Sequence, residues 1–129
     1  MSKGIVIRAA HYPGRAAIDA YGNGGFRFAE MSHRGSILCL PSGIHGWEPA
    51  SPAMLTEADF ASIFEQADDI DILLVGTGLT LTPLQKGLRL RLKEAGISAE
   101  PMSTGSAVRT YNVLLAEDRA VAAALLAVD

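Results

Sequence analysis

Apolar and polar positions along the chain change period several times, and each change falls at a glycine, a proline or a capping residue. Residues 18–21 and 26–28 flank Gly22-Asn23-Gly24-Gly25, where Asn-Gly and its neighbouring glycines supply the positive φ that a tight hairpin turn requires. Ser36–Leu40 is a short apolar run closed by Pro41, which predicts a buried strand, and the Pro, Gly and Ser residues around Trp47 make 41–52 a loop. Thr56 opens a helix with Asp59 in a capping-box position, and Phe60, Ile63, Phe64 and Ala67 follow the i, i+3, i+4, i+7 spacing of a core-facing stripe. A second strand of the parallel, doubly buried type is predicted at 70–75, ending at Gly76-Thr77-Gly78.

Thr82-Pro83 predicts a second helix start, because proline at the first helical position loses no hydrogen bond and presets φ. Leu84, Leu88, Leu92 and Ala95 form its apolar stripe, and Gly96 stands where a left-handed cap ends a helix. A third strand then covers 97–102, and Thr104 caps a third helix that carries Ala107, Val108, Tyr111, Leu114 and Leu115 on one face. The alanine-rich stretch 121–126 has helical propensity, but Glu117-Asp118 reads as the turn after a helix, so 119–128 is assigned as a last strand.

Alternating strands and helices joined by right-handed crossovers give an α/β, three-layer fold: a mostly parallel or mixed central sheet covered by helices, with an added N-terminal β-hairpin layer. We expect one domain over 1–129, residues 1–34 forming the hairpin extension and 35–129 the α/β core. A chain of 129 residues with 49% hydrophobic and 19% charged content is long enough to bury a core without staples. Its single cysteine, Cys39, excludes an intramolecular disulfide and a cysteine-based zinc cluster. Met1–Ala10 is too short an apolar stretch for a signal-peptide core or a membrane span, which leads us to expect a cytoplasmic protein with no transmembrane segment.

Ligands of open α/β sheets collect outside the carboxyl ends of the strands, and that edge is predicted to carry Gly76-Thr77-Gly78 and Ser103-Thr104-Gly105. Backbone N–H groups at a helix start attract anions, and glycine lets a phosphate or carboxylate come close. A dinucleotide fingerprint fails, since its third glycine falls at Leu81. Gly76, Thr77, Gly78 and Thr104 are thus candidates for a small anionic or polar ligand, with tight-turn glycines as the ordinary reading. Arg109 and Asn112 on the third helix join them, because a guanidinium near Thr104 suits bidentate anion recognition; a solvated arginine is the alternative.

His11, His33 and His45 share no metal-ligand spacing, and Ser42 and Ser103 lack the Gly-x-Ser-x-Gly setting of a nucleophile. Cys39 lies inside an apolar strand, where burial keeps a thiol protonated. No catalytic residue, metal or cofactor is therefore assigned. On the second helix Leu90 points outward with Lys86, Arg89 and Lys93 while Arg91 falls at the edge of the apolar stripe. Leu90 is accordingly a candidate interface residue, and so is Trp47, which could equally close the core as a lid.

The run Tyr21-Gly22-Asn23-Gly24-Gly25-Phe26-Arg27, Gly35-Ser36 followed by Pro41 and Trp47, the loop Gly76-Thr77-Gly78, and Arg109-Thr110-Tyr111-Asn112-Val113-Leu114 resemble, in this order and spacing, the domain-of-unknown-function 498 family with its Mth-type fold. The resemblance covers roughly residues 4–127. It implies a compact α/β domain with a mixed sheet and an added β layer. Eukaryotic members of that family include a mitochondrial assembly factor of respiratory complex I, so the resemblance also implies a protein-binding or assembly role, and no catalytic residues carry over from it.

The net charge of −3 argues against a nucleic-acid partner through the overall field. It is distributed unevenly: residues 35–85 hold Glu48, Glu57, Asp59, Glu65, Asp68, Asp69 and Asp71 without a single Lys or Arg, while bases concentrate in 1–34 and in the second helix. Faces of opposite sign can steer a partner. The expected function is a non-catalytic protein-interaction or assembly module, with a small-anion or polar-ligand protein or enzyme at Gly76–Gly78 as the alternative.

Overall fold

A computed structural model of the chain describes residues 6–7 and 10–129; the rest of the Met1–Ala10 stretch lies outside the described residues. In chain order the strands are β1 (Val6–Ile7), β2 (His11–Tyr12), β3 (Ala20–Gly22), β4 (Gly25–Phe28), β5 (Met31–Arg34), β6 (Ser36–Leu40), β7 (Gly43–Trp47), β8 (Ile72–Gly76), β9 (Ser98–Met102) and β10 (Val121–Leu125). The helices are α1 (Ala61–Glu65), α2 (Lys86–Glu94) and α3 (Thr104–Ala116).

A six-stranded mixed sheet, ordered β2-β7-β6-β10-β8-β9, forms the centre. β10 runs antiparallel to β6 and parallel to β8, which is parallel to β9 in turn. Both faces of the central strands are covered, so β6 and β10 are buried at every position and read as continuous apolar runs. On one face Leu38, Leu73, Val75, Ala122 and Ala124 meet Phe60, Ile63, Leu88 and Leu92 from the helical layer of α1 and α2. On the other, Ile37, Leu74, Ala123 and Leu125 meet Ala107, Val108 and Tyr111 of α3 together with Phe26 and Phe28. Those phenylalanines belong to a second sheet, ordered β1-β5-β4-β3. Residues 121–125 therefore form a strand despite their alanines: between two packed layers a small side chain permits close approach on either side, and tertiary packing overrides propensity.

The predicted hairpin is present, with Gly22 opposite Gly25 and Asn23 (φ 51°) and Gly24 (φ 79°) in the left-handed conformations of a two-residue turn. β5 extends it into a larger layer that the sequence pattern did not reveal.

Three local expectations are corrected. The 41–52 loop contains β7, which pairs with β6 from Ser36↔Trp47 to Leu40↔Gly43. Its two glycines hide the strand pattern, and Gly43 is required because a Cβ there would collide with the Tyr12 carbonyl of β2. The helix begins at Lys86 instead of Thr82-Pro83: the chain is extended at Gln85, its N-cap, Leu84 is buried in the core ahead of the helix, and the Thr82 N–H donates to Thr77 Oγ1 (2.9 Å). The helix after Thr56 is broken into 3-10 turns at Glu57–Phe60 and Ala67–Asp69 around the short α1. Asp59 nevertheless accepts from the Thr56 N–H as expected (2.9 Å), and Trp47 explains part of the break: its Nε1–H donates to the Asp59 carbonyl (2.8 Å) while the indole packs edge-on against Phe60 (5.6 Å).

Candidate functional site

The loops after β8 and β9 do meet at one edge of the central sheet, and what joins them is the chain's own hydrogen bonding. Thr77 N–H donates to the Met102 carbonyl (2.8 Å), Thr104 N–H to the Gly78 carbonyl (2.8 Å), and Leu126 N–H to the Gly76 carbonyl (2.9 Å). The buried Thr104 hydroxyl donates to the Leu126 carbonyl (2.7 Å) and accepts from the Gly78 N–H (3.1 Å). Thr77 Oγ1 donates to the Thr80 carbonyl (2.9 Å), lies 3.1 Å from the Met102 carbonyl and accepts from Thr82. Gly76 is needed for this close approach, because a Cβ there would stand 2.9 Å from the Thr104 Cα.

Ser103, not Thr104, caps α3: its hydroxyl accepts from the Ser106 N–H (3.2 Å), which leaves the Thr104 side chain free to tie β8, β9 and β10 together. Arg109 sits further along α3 with Nη2 3.3 Å from Ser106 Oγ. Asn112 points elsewhere altogether. It clamps the Ile18 backbone, accepting from its N–H and donating to its carbonyl, each at 2.9 Å, and so fastens the segment leading into β3 to α3. Of the six candidates, Gly76, Thr77, Gly78 and Thr104 come together; Arg109 lies beside Gly105 and bonds to Ser106, and Asn112 is turned to Ile18. A groove of about 510 Å³ beside Gly78 is lined by both signs of charge, Arg34, Glu48 and Asp129 among them. Leu79 (78% exposed) projects from its rim.

The two interface candidates also separate. Trp47 is buried against Phe60, whereas Leu90 is 50% exposed. Arg91 pairs with Glu57 (3.3 Å) and Glu94 (3.4 Å) and lies 5.0 Å from the Phe64 ring centroid, which accounts for a cation at the edge of an apolar stripe.

Cys39 is buried, and burial pushes its thiol up to about 12, only partly opposed by a hydrogen bond from Tyr111. It is no nucleophile at neutral pH. Sequence reasoning missed one polar cluster on the β6–β7 turn: Ser42 Oγ lies 3.0 Å from His45 Nε2 and accepts from Gln66 Nε2 (2.8 Å), while the Ser42 N–H donates to Gln66 Oε1 (3.0 Å). The missed strand β7 is what brings these residues together. Burial, and then the neighbouring His11, hold the His45 imidazole below its ordinary value. The Ser42 backbone N–H is itself engaged by Gln66 and not offered to an oxyanion. Among the described residues no group of three or more His, Cys, Asp or Glu could hold a metal, and no helix is long and apolar enough to cross a membrane.

Known proteins share this architecture. An uncharacterized protein of Rhodobacter capsulatus is 45% identical over 119 residues, covering 92% of this chain and 90% of that protein. NADH dehydrogenase (ubiquinone) 1 alpha subcomplex assembly factor 3 of Mus musculus is 29% identical over 122 residues, covering 95% of this chain; the chain spans 66% of that protein's length. Among solved structures, one from Bartonella henselae, described as an outer membrane protein, is 60% identical with a TM-score of 0.89, covering 92% of this chain and all of its own. A Mth938-like domain from Bordetella pertussis is 27% identical with a TM-score of 0.76, covering 93% of this chain and 92% of its own. The expected mixed α/β fold with its additional β layer is thus shared with these neighbours. Matched over residues 18–126, the chain belongs to the DUF498/DUF598 family of proteins of unknown function.

Proposed function

We propose that the chain is a non-catalytic protein-binding module that acts in the assembly of a multisubunit complex. The observation that carries this reading is the match along 95% of the chain to a protein named as an assembly factor of NADH dehydrogenase. Local chemistry supports it. The hydroxyls and amides of the Gly76–Gly78 edge are engaged within the fold, and Cys39 is held as a neutral thiol, whereas the large apolar side chains of Leu79, Leu81 and Leu90 face solvent. The single cysteine supports a cytoplasmic location; fractionation of the cell separates this from the outer-membrane location that the Bartonella henselae protein's description suggests for that relative.

Affinity capture of the tagged chain from its own cells, quantified by mass spectrometry, tests the function. Enrichment of a respiratory-complex subunit in stoichiometric amount is the expected result. Amide shifts confined to Gly76–Gly78 and Thr104 on adding phosphate, nucleotides or dicarboxylates, with no protein retained, would overturn it in favour of a ligand-binding role.

A further inference from the structure

We infer that the groove between α2 and the free edge of β9 docks a short, extended, acidic segment of a partner protein. This rests on the protein-binding reading above and names the chemistry of the partner. Lys86, Arg89, Leu90 and Lys93 recur at i, i+3, i+4, i+7 on α2, a stripe distinct from the buried pair Leu88 and Leu92. The stripe forms one wall of a groove of about 710 Å³, with Ile97 and Ala99 opposite and no Asp or Glu in its lining. Among the described residues both ion pairs belong to Arg91, so the three cations of the groove carry no carboxylate partner. Glu94, the acid nearest in sequence, is held by Arg91.

β9 supplies the directional element. Among the described residues it ends the sheet, and the bonds from Ser98 N–H to the Asp71 carbonyl and from Thr77 N–H to the Met102 carbonyl fix which of its residues face β8. In a parallel register of Ile72↔Ser98 to Gly76↔Met102, alternation directs Ser98, Glu100 and Met102 to β8 and turns the N–H and C=O of Ala99 outward. The other outward residue, Pro101, has no N–H. The edge thus offers one complete two-bond rung, at Ala99, and Pro101 stops a longer strand from adding.

Length sets the pattern of the occupant. From Lys86 to Lys93 the helix rises about 10 Å, a span matched by roughly four extended residues. An acid, an apolar residue and an acid at alternate positions of a strand place two carboxylates near the cations and one apolar side chain against Leu90, Ile97 and Ala99. A second copy added across the β9 edge would instead set the basic stripe against itself. Nucleic acid would use the cations alone, leaving Leu90 and the Ala99 rung without a role.

The test titrates the full ¹⁵N-labelled chain with a nine-residue peptide, serine throughout except for glutamate at its third and seventh positions and leucine at its fifth. Saturable shifts in the millimolar range, concentrated on α2 and on Ala99, are expected. The combined K86E, R89E and K93E variant, checked for an unchanged thermal transition, should bind at least about 10-fold more weakly, and Ala99→Pro, which removes the outward N–H and is checked for the same unchanged transition, should also weaken binding. A lysine-for-glutamate peptide should leave the spectrum unchanged. Absence of saturable shifts, equal binding by the charge-reversed chain, or tighter occupation of the same residues by a DNA duplex, by phosphatidylglycerol vesicles or by a second copy would each overturn the inference. Were the wild-type and charge-reversed chains to capture the same complex subunit equally, the assembly reading would stand and this groove would fall. Peptide binding without any captured subunit would leave the groove standing and remove the assembly reading.

Discussion

Two surfaces of this protein compete for attention, and they differ in what their polar groups are doing. The edge formed by Gly76–Gly78 and Thr104 has the composition of a ligand site, yet its hydroxyls and amides bond one another and the β10 exit strand. The outer stripe of α2 has no recognisable motif, yet it presents three cations that form no carboxylate pair among the described residues, around an exposed leucine. A glycine-and-threonine loop at the carboxyl end of parallel strands can serve as a joint as readily as a cradle. Composition does not separate the two uses; hydrogen-bond accounting does.

The largest predicted effect tests the joint directly. Thr104→Val keeps the side-chain volume and removes the hydroxyl, leaving the Leu126 carbonyl and the Gly78 N–H without their partner. A buried group left unpaired costs ~1–3 kcal/mol, so the variant should lose about 3 kcal/mol by urea unfolding. A loss below about 0.5 kcal/mol would mean that the hydroxyl is dispensable to the fold and available to a ligand. Next in size is Gly76→Ala, whose added Cβ would meet the Thr104 Cα at 2.9 Å and Leu125 Cδ2 at 3.0 Å. Because the first neighbour is backbone and cannot swing aside, about 2 kcal/mol should be lost. Gly105→Ala is the control: its Cβ would meet the hydroxyl of Tyr21, the far end of a side chain 42% exposed, and near-neutral stability is expected.

Interior groups extend the comparison to pH. Cys39 has its ordinary value of 9.0 raised to about 12, by burial first, and the Tyr111 hydroxyl is raised as well, by burial and then by Cys39. The folded chain keeps the thiol proton that the unfolded chain releases near 9. Stability is therefore complete below that value and falls as pH rises toward 12, with a limiting slope of about 1.4 kcal/mol per pH unit for the thiol alone. Unfolding free energies compared between about pH 8 and about pH 10 in wild type and Cys39→Ala measure the contribution. Equal alkaline losses in both would show that the thiol is not the group responsible.

Much of the fold is legible because burial on both faces leaves a plain mark. The apolar runs 36–40 and 70–75 announce the strands observed at 36–40 and 72–76, Asn23-Gly24 reads as a turn from its need for positive φ, and Gly96 (φ 83°) as a helix end. What escapes depends on distant partners. β7 is hidden because Gly43 answers to the Tyr12 backbone and Gly46 lies against His33, contacts that no local pattern contains. The start of α2 differs from its sequence pattern: the chain is extended at Gln85, its N-cap, and the segment before it is tied back to Thr77 by the Thr82 N–H. Asn112 illustrates the same limit at the candidate site: its position on α3 is clear, but its attachment to Ile18 spans 94 residues. Leu90 is legible for the opposite reason, since it breaks its own helix's amphipathic pattern and stays half exposed.

The smallest stability effect belongs to the stripe itself, and it closes the comparison from the other side. Lys86, Arg89 and Lys93 form no ion pair among the described residues, and Leu90 is half exposed, so Lys93→Ala and Leu90→Ser should each change unfolding free energy by no more than about 0.5 kcal/mol. Arg91→Ala on the same helix should cost slightly more, because it removes contacts to Glu57, Glu94 and the Phe64 ring, but those contacts are solvent-exposed and the difference stays within about 1 kcal/mol. Thermal denaturation of the three variants side by side gives the ranking. If Lys93→Ala or Leu90→Ser proved as damaging as Thr104→Val, the stripe would be part of the fold's own support, and the contrast between an engaged edge and an open one would disappear. A stripe that can be altered without cost to folding is one whose chemistry is available to a partner.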